Sequence, residues 1–427
     1  MNKTAFFFLI CLIGFAGYAF SQWSFMGLSN LECTEVQVFD NTIYLGTEQG
    51  MYMKSVQSTD TLWTPIGLQD RPINDFIVFS QDTILVATQL FVYPEDSISI
   101  YITYDGGLNW LPYQNGFGGD YPRCNELNYN PVQTNMLFGC SLAALARSMD
   151  KGQSWELIYS DWGMAAMYHI FLIDNNSGEI WMGGQTGYFE NKIIKFTDFG
   201  DQYEIMNPIP NSTSTCMVKH PEQPDQLMAG GGGGIFVSSN NGLSWEQCEV
   251  INGDGGTITD MKLSPQNSKV AYASGFYDEG GSIPLFLKIS TDFENSWTTV
   301  YYDDLAHDYF VNSLAVFPGS SFDNIYITTN HGVYVYKNTS LSVTSSPDNF
   351  KPLISPNPCF NEVNIKANGV ISTIRIFDIN GKNQGNINIC EIAEKNYKLD
   401  LSQLPEGIYI LHIEQNNQNY YSKLIKK

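Results

Sequence analysis

Arginine is nearly missing from this chain, with four in 427 residues: Arg71, Arg123, Arg147 and Arg375. Lys and Arg together number 22 against 44 Asp and Glu, for a formal net charge of −22. Such a field repels phosphate backbones and supplies no polyanion groove, so nucleic acid is excluded as a partner. After the first twenty positions no apolar run reaches about 18 residues, so no membrane-spanning helix is expected in the body of the chain. The cysteines form no CxxC and have no histidine at zinc-ligand spacing, so no metal is expected. G-x-S-x-G, HExxH and P-loop signatures are also lacking, and nothing points to a cofactor. What remains is a chain 43% hydrophobic and 14% aromatic. That excludes a disordered or disulfide-stapled protein, and the length suggests two or three domains.

Residues 1–21 read as a secretory signal peptide. Lys3 supplies the positive start, Ala5 to Phe20 is almost wholly apolar, and Ala19-Phe20-Ser21 offers the small residues a signal peptidase reads. The mature chain is expected to begin at Gln22; an uncleaved anchor is the alternative. Cys11 leaves with the signal and seven cysteines remain, an odd number that leaves at least one thiol unpaired or bonded to another chain.

The body repeats itself. Thr103-Tyr104-Asp105-Gly106-Gly107-Leu108-Asn109-Trp110 recurs as Ser148 to Trp155 (with Asp150 and Gly152), as Ser238 to Trp245 (with Asn240 and Gly242), and in worn form as Ser290 to Trp297 (with Asp292). Tyr203 and Trp63 mark two more copies, and the aromatic positions 63, 110, 155, 203, 245 and 297 lie 42 to 52 residues apart. Each unit carries four short alternating strands separated by Gly-rich turns, the pattern of a propeller blade. Seven first strands can be counted, beginning at Glu35, Asp75, Glu126, His169, Cys216, Asp260 and Ser313. The seventh unit has no fourth strand of its own, and Trp23–Leu28 resembles the missing one. The expected fold is therefore all-β: a seven-bladed β-propeller over residues 22–337, closed by the N-terminal strand so that no sheet edge stays open. A β-solenoid is the competing architecture.

The turn S/T-x-D-x-G-x-x-W resembles the Asp-box, or BNR repeat, of sialidase-like and sortilin-like propellers. Its expected role is structural: the Asp carboxylate accepts backbone N–H groups across the turn, Gly supplies a positive φ, and Trp packs between blades. The resemblance implies little about activity. A sialidase needs an arginine triad and a Phe/Tyr-Arg-Ile-Pro motif, which Arg71-Pro72-Ile73 does not match. Xyloglucan-cleaving endoglucanases of this type place a cleft between two propellers, and one propeller cannot supply it. Photosystem II assembly factors and sortilin-type propellers, also similar, act by binding.

Residues 338–353 are Ser/Thr/Pro-rich and read as a linker. Residues 354–427 have their own landmarks: Pro356-Asn357-Pro358, a strand ending at Asp378 before Asn380-Gly381-Lys382, Gly407 and Tyr409 in a turn-to-strand segment, and terminal Lys426-Lys427. Together they resemble the type A C-terminal sorting domain of the Bacteroidota type IX secretion system, a small β-sandwich. The resemblance implies export to the outer cell surface or beyond, with the translocon, its sorting peptidase and surface lipopolysaccharide as partners. An adhesive or carbohydrate-binding sandwich is the alternative.

Ligands of propellers gather at the axial mouth. Aligning the first strands brings Glu35, Asp75, Glu126, His169 and Asp260 to one level and Thr34, Asn74, Asn125, Tyr168, Thr215, Thr259 and Asn312 to the level before it. Four carboxylates near one axis suit sugar recognition, cation binding or an acid/base pair; the bland alternative is that they solvate a water-filled channel. Tyr121, Trp162, Tyr277, Tyr309 and Phe310 are candidate stacking aromatics in the mouth loops. The residues thus favour a binding module for a protein, peptide or glycan, with a glycoside hydrolase or lyase, or a surface-layer component, as the other readings.

Overall fold

In the computed structural model the chain divides into two compact units, Met1–Leu341 and Ser342–Lys427. The structure describes residues 22–427 except 90–97, 118–122, 131–132, 134, 142–143, 161–166, 175–177, 186–190, 207–208, 210–212, 252–255, 278–283, 294–295, 303–307, 320–321, 339–352, 356–358, 367–370, 379–383, 385–388, 394–395 and 416–417. The expected signal peptide, Tyr121, Trp162, Pro356-Asn357-Pro358, Gly381 and Lys382 lie outside the described residues, as do the side chains of Tyr168 and Asp378.

The first unit is a seven-bladed propeller of four-stranded antiparallel sheets. Its inner strands are Cys33–Phe39, Ile73–Val78, Glu126–Tyr129, Met167–Asp174, Ser214–Lys219, Thr257–Leu263 and Val311–Pro318. They meet in chain order, and the first also meets the seventh, so the ring is closed. Closure is non-covalent: Trp23–Gly27 pairs with Gly332–Asn338, with Trp23 opposite Tyr336 and Phe25 opposite Tyr334. Trp23 packs edge-on against Tyr336 at 5.0 Å and Tyr302 at 6.1 Å.

Alternation along each blade puts one set of side chains into each interblade layer, so the core is a ring of clusters rather than one centre. Ile77, Leu85 and Ile102 of blade 2 meet Leu127, Leu137 and Trp155 of blade 3 in such a layer. Leu287 and Ile289 of blade 6 likewise meet Leu314 and Ile325 of blade 7. None of the six cysteines with described side chains is joined to another by a disulfide, and five of them are buried.

The repeated turn closes the two outer strands of its blade. Thr103 Oγ1 donates to Asp105 Oδ1 (2.9 Å) and accepts from Gly107 N (2.9 Å), while Asp105 Oδ1 accepts from Asn109 N (2.9 Å) and Oδ2 from Asn109 Nδ2 (2.7 Å). These bonds hold the Asp105 carboxyl below its ordinary range. The same bonding recurs at Ser148/Asp150/Gly152/Ser154 and Ser238/Asn240/Gly242/Ser244, and in part at Ser290/Asp292/Ser296. The indole then reaches backward: Trp110 Nε1 donates to Ile66 O of the preceding blade (3.1 Å), as Trp63 Nε1 does to Met26 O (2.9 Å). Gly67, at φ +123°, makes room, since a Cβ there would lie 2.1 Å from Trp110 Nε1. Trp155, Trp245 and Trp297 have buried indole nitrogens without a hydrogen-bond partner and act through packing.

The second unit is a β-sandwich of a four-stranded and a three-stranded sheet. Val363, Ile365 and Leu399 of one face Ile376, Leu411 and Leu424 of the other. Tyr409 Oη donates to Pro405 O (2.8 Å) and Lys426 Nζ to Leu404 O, so two landmark residues hold the turn that leads into Gly407. Lys427 N donates to Cys359 O (2.8 Å).

Closure predicts that Trp23→Ala, which empties a buried aromatic site on the closing strand, costs about 3–5 kcal/mol in urea unfolding of the propeller. Leu108→Ala on an exposed turn tip should stay within about 0.5 kcal/mol of the parent chain.

Candidate axial site

A cavity of about 980 Å³ runs along the axis and is lined from all seven inner strands. Its geometry begins with a bulge. In five blades the register of the inner strand shifts by one residue, skipping Thr34, Asn74, Thr215, Thr259 and Asn312. A bulge leaves its extra residue outside the ladder and re-aims the side chain. In three of these blades it aims across the blade boundary, whereas Thr259 Oγ1 donates to Ser274 O of its own blade (3.2 Å). Asn74 Nδ2 donates to Cys124 O (2.8 Å), Asn312 Nδ2 to Cys33 O (2.9 Å), and Thr215 Oγ1 to Ile258 O.

The carboxylates one position on from Asn74, Asn125 and Thr259 also reach the next blade. Asp75 Oδ2 accepts from Leu127 N (2.7 Å), Glu126 Oε2 from Ile170 N (3.0 Å), and Asp260 Oδ2 from Leu314 N (2.9 Å). Asp75 Oδ1 also accepts from Phe76 N (2.7 Å), and Asp260 Oδ1 from Met261 N (2.7 Å) and Lys262 Nζ (2.8 Å). Asn74 and Asp75 thus clasp their blade to the next together, while the other boundaries with such bonds rely on one of the two positions. Glu126 makes one more contact, 3.5 Å from His169 Nδ1, and the His169 side chain is 45% exposed to the channel.

The carboxylates expected at one level differ in how far they are open to the channel. Asp75 and Asp260 are 8% exposed, and both oxygens of each are occupied within the ring. The aromatic candidates also divide. Tyr309 is 1% exposed and stacks against Tyr334, and Tyr277 packs on Phe286 at 5.1 Å. Only Phe310 of the described candidates lines the cavity, joined there by Phe276, whose ring lies 5.1 Å away. Sequence reasoning missed Phe276 because it ends the second strand of its blade, away from the first-strand alignment. It missed Lys262 because it stopped one alternation short; Asp260-x-Lys262 was the available signal.

The charges crowd one another. Burial, with Asp260 and Glu126 adding to it against Lys262 and Ser313, raises the Glu35 carboxyl from 4.5 to about 8. Burial also holds Asp75 well above the usual range, with Glu35 and Glu126 adding to it. Burial alone would lower His169 and Lys262, but Glu126 outweighs it for the imidazole, and Asp260 and Glu35 for the ammonium, so both are raised.

Three findings place the chain among known proteins. Residues 353–427 match the secretion system C-terminal sorting domain. That tail marks the chain for export through type IX secretion, to the cell surface or into the medium. A GH74 xyloglucanase from Xanthomonas campestris is similar in fold, with a TM-score of 0.56 at 16% identity over 82% of this chain and 60% of that one. YCF48 from Cyanidioschyzon merolae has a TM-score of 0.51 at 14% identity, over 74% of this chain and 98% of that one. The chain thus spans about 60% of the xyloglucanase's length, and at these identities the likeness is one of fold alone. No curated protein matches the chain.

Raised carboxyls make the propeller more stable in mild acid. Glu35 keeps its proton in the folded state after the unfolded chain has lost it, so stability falls as pH rises from about 4.5 to about 8. Asp75 and His169, also raised, act with the same sign. Melting temperatures should therefore drop between pH 5 and pH 8, and Glu35→Gln should shrink that drop. Asp75→Ala, which leaves Leu127 N and Phe76 N without their acceptor, should cost about 2–4 kcal/mol in urea unfolding; Asp75→Asn, which keeps an acceptor oxygen, should cost less.

Proposed function

We propose that this secreted or surface-held propeller is a recognition module that binds a protein, peptide or glycan at the mouth of its axial channel and performs no chemistry on it. The observation that carries this reading is the occupation of the carboxylates. An acid/base pair must exchange protons with substrate, yet both oxygens of Asp75 and Asp260 accept hydrogen bonds that hold the ring together. Using either as a proton shuttle would open a blade boundary in each turnover.

Electrostatics narrows the alternative. A lyase acting on uronates, like a sialidase, must hold an anionic substrate, and a cavity lined by Glu32, Glu35, Asp75, Glu126 and Asp260 against Lys262 offers it little cationic charge. A hydrolase of neutral glycans would have to use Glu126 with His169, and the cleft between two propellers expected for such enzymes has no counterpart in one ring. On the export side, the sorting tail supports engagement with the type IX translocon and its peptidase. Attachment to surface lipopolysaccharide follows from the same resemblance.

The test joins binding to turnover. Residues 22–427 should bind saturably on a glycan or peptide array and release no products from pooled polysaccharides. Product formation lost on Glu126→Gln would make the protein a hydrolase instead. For export, removing residues 353–427 should leave the propeller in the periplasm, read by immunoblot of periplasm, surface and medium; unchanged delivery would remove the tail from the sorting role.

A further inference from the structure

The binding reading leaves the ligand's chemistry open, and the channel narrows it. Five carboxylates line the cavity: Glu32 at the mouth, then Glu35, Asp75, Glu126 and Asp260. Lys262 is the one lysine or arginine among the described lining residues. The geometry of the mouth adds an apolar wall to this charge. Phe276 and Phe310 lie 5.1 Å apart at a tilt of 52°, and Phe310 is 39% exposed. Two residues beyond Phe310, Asn312 Nδ2 sits 3.4 Å from the exposed Glu32 Oε1. Thr34 Oγ1, in the same lining, is shielded from solvent and has no hydrogen-bond partner.

We infer that, given the recognition role proposed above, the ligand is a basic peptide segment of a partner protein that inserts a lysine or arginine side chain into the channel, its methylene stem against Phe276 and Phe310 and its cationic head toward Glu32 and Glu35. Each part of such a side chain has a counterpart here. A cation over an aromatic face is attracted by the ring quadrupole, the stem covers apolar surface while the head stays polar, and the carboxylates supply the charge. A neutral sugar would stack on the phenylalanines but leave the excess negative charge uncompensated. A bare metal ion finds no grouping of three ligating side chains among the described residues. The cavity, at about 980 Å³, is larger than one ammonium group needs and has room for the residues flanking it.

The experiment uses the chain from residue 22 to 427 and fluorescence anisotropy. The probes are a labelled eight-residue Gly/Ser peptide with two central lysines, its arginine and acetyl-lysine counterparts, and cellohexaose as a neutral competitor. The lysine and arginine peptides should bind saturably, and the acetyl-lysine peptide about tenfold or more weaker. Phe310→Ala and Glu32→Gln should each weaken the lysine peptide about tenfold, while Glu222→Gln, an acidic exposed position on another loop, should leave it unchanged. Equal binding of the acetylated peptide, or equal losses from Glu32→Gln and Glu222→Gln, overturns the inference, because binding would then owe nothing to a cation in the channel. Binding of cellohexaose alone, abolished by Phe310→Ala, also overturns it but leaves the recognition reading standing. If neither peptide nor sugar responds to Phe310→Ala, both fall.

Discussion

Each blade of a propeller offers its innermost strand to an axis where no further strand can pair with it, and neighbouring inner strands splay too far to form a ladder. The hydrogen bonds that cross from blade to blade at this edge are therefore what the rest of the architecture depends on. In this protein side chains make them. A bulge turns Asn74, Thr215 or Asn312 toward a carbonyl of the next blade. The carboxylate of Asp75, Glu126 or Asp260 takes an amide hydrogen from the blade that follows its own. The bond lies in protein-enclosed space, where it is stronger than at a surface.

That choice of clasp sets the electrostatics of the channel. Carboxylates that reach sideways into neighbouring blades must stand close to one another around the axis, and the only lysine among the described lining residues answers one of them. The result is a channel whose described lining holds five carboxyl side chains and one lysine, in which burial and crowding raise Glu35 and Asp75. Polarity at the mouth is thus a by-product of holding the ring together.

Outside the axis a second set of contacts works at larger radius. The hairpin turn around Asp105 or Asp150 is rigid by its own hydrogen bonds, which lets it carry a large indole to a defined place on the preceding blade. Clasps at the axis run forward along the chain, and indoles at the rim run backward. Each blade boundary where both occur is therefore gripped at two radii, which suits a protein that must stand in an extracellular medium with no described disulfide. The terminal sandwich has a core of its own, and its sorting role does not depend on what the propeller binds.

Periodicity carried the fold. Aromatic residues some 47 positions apart, seven alternating first strands and a missing fourth strand in the last unit were enough to read the number of blades and the way the ring closes. This is because side-chain alternation and turn chemistry are local and survive in the letters. The landmarks around Tyr409 and Lys426 were legible for the same reason. The tail's identity was readable even though two of its landmarks lie outside the described residues.

The site was legible only as a set of positions. Alignment brought Asp75, Glu126 and Asp260 to one level, but their letters are the same whether a carboxylate faces a ligand or a neighbouring blade. A one-residue bulge decides which, and a bulge leaves no mark in the alternation it interrupts. Tyr309 and Phe310 are adjacent aromatics of one loop, yet one is sealed in the core and the other open to the channel. By itself the sequence determined the repeat, the closure and the export tail. Only the closed ring decided which polar groups are bound and which stay free, because those partners lie 40 to 280 residues apart and meet nowhere but across blade boundaries.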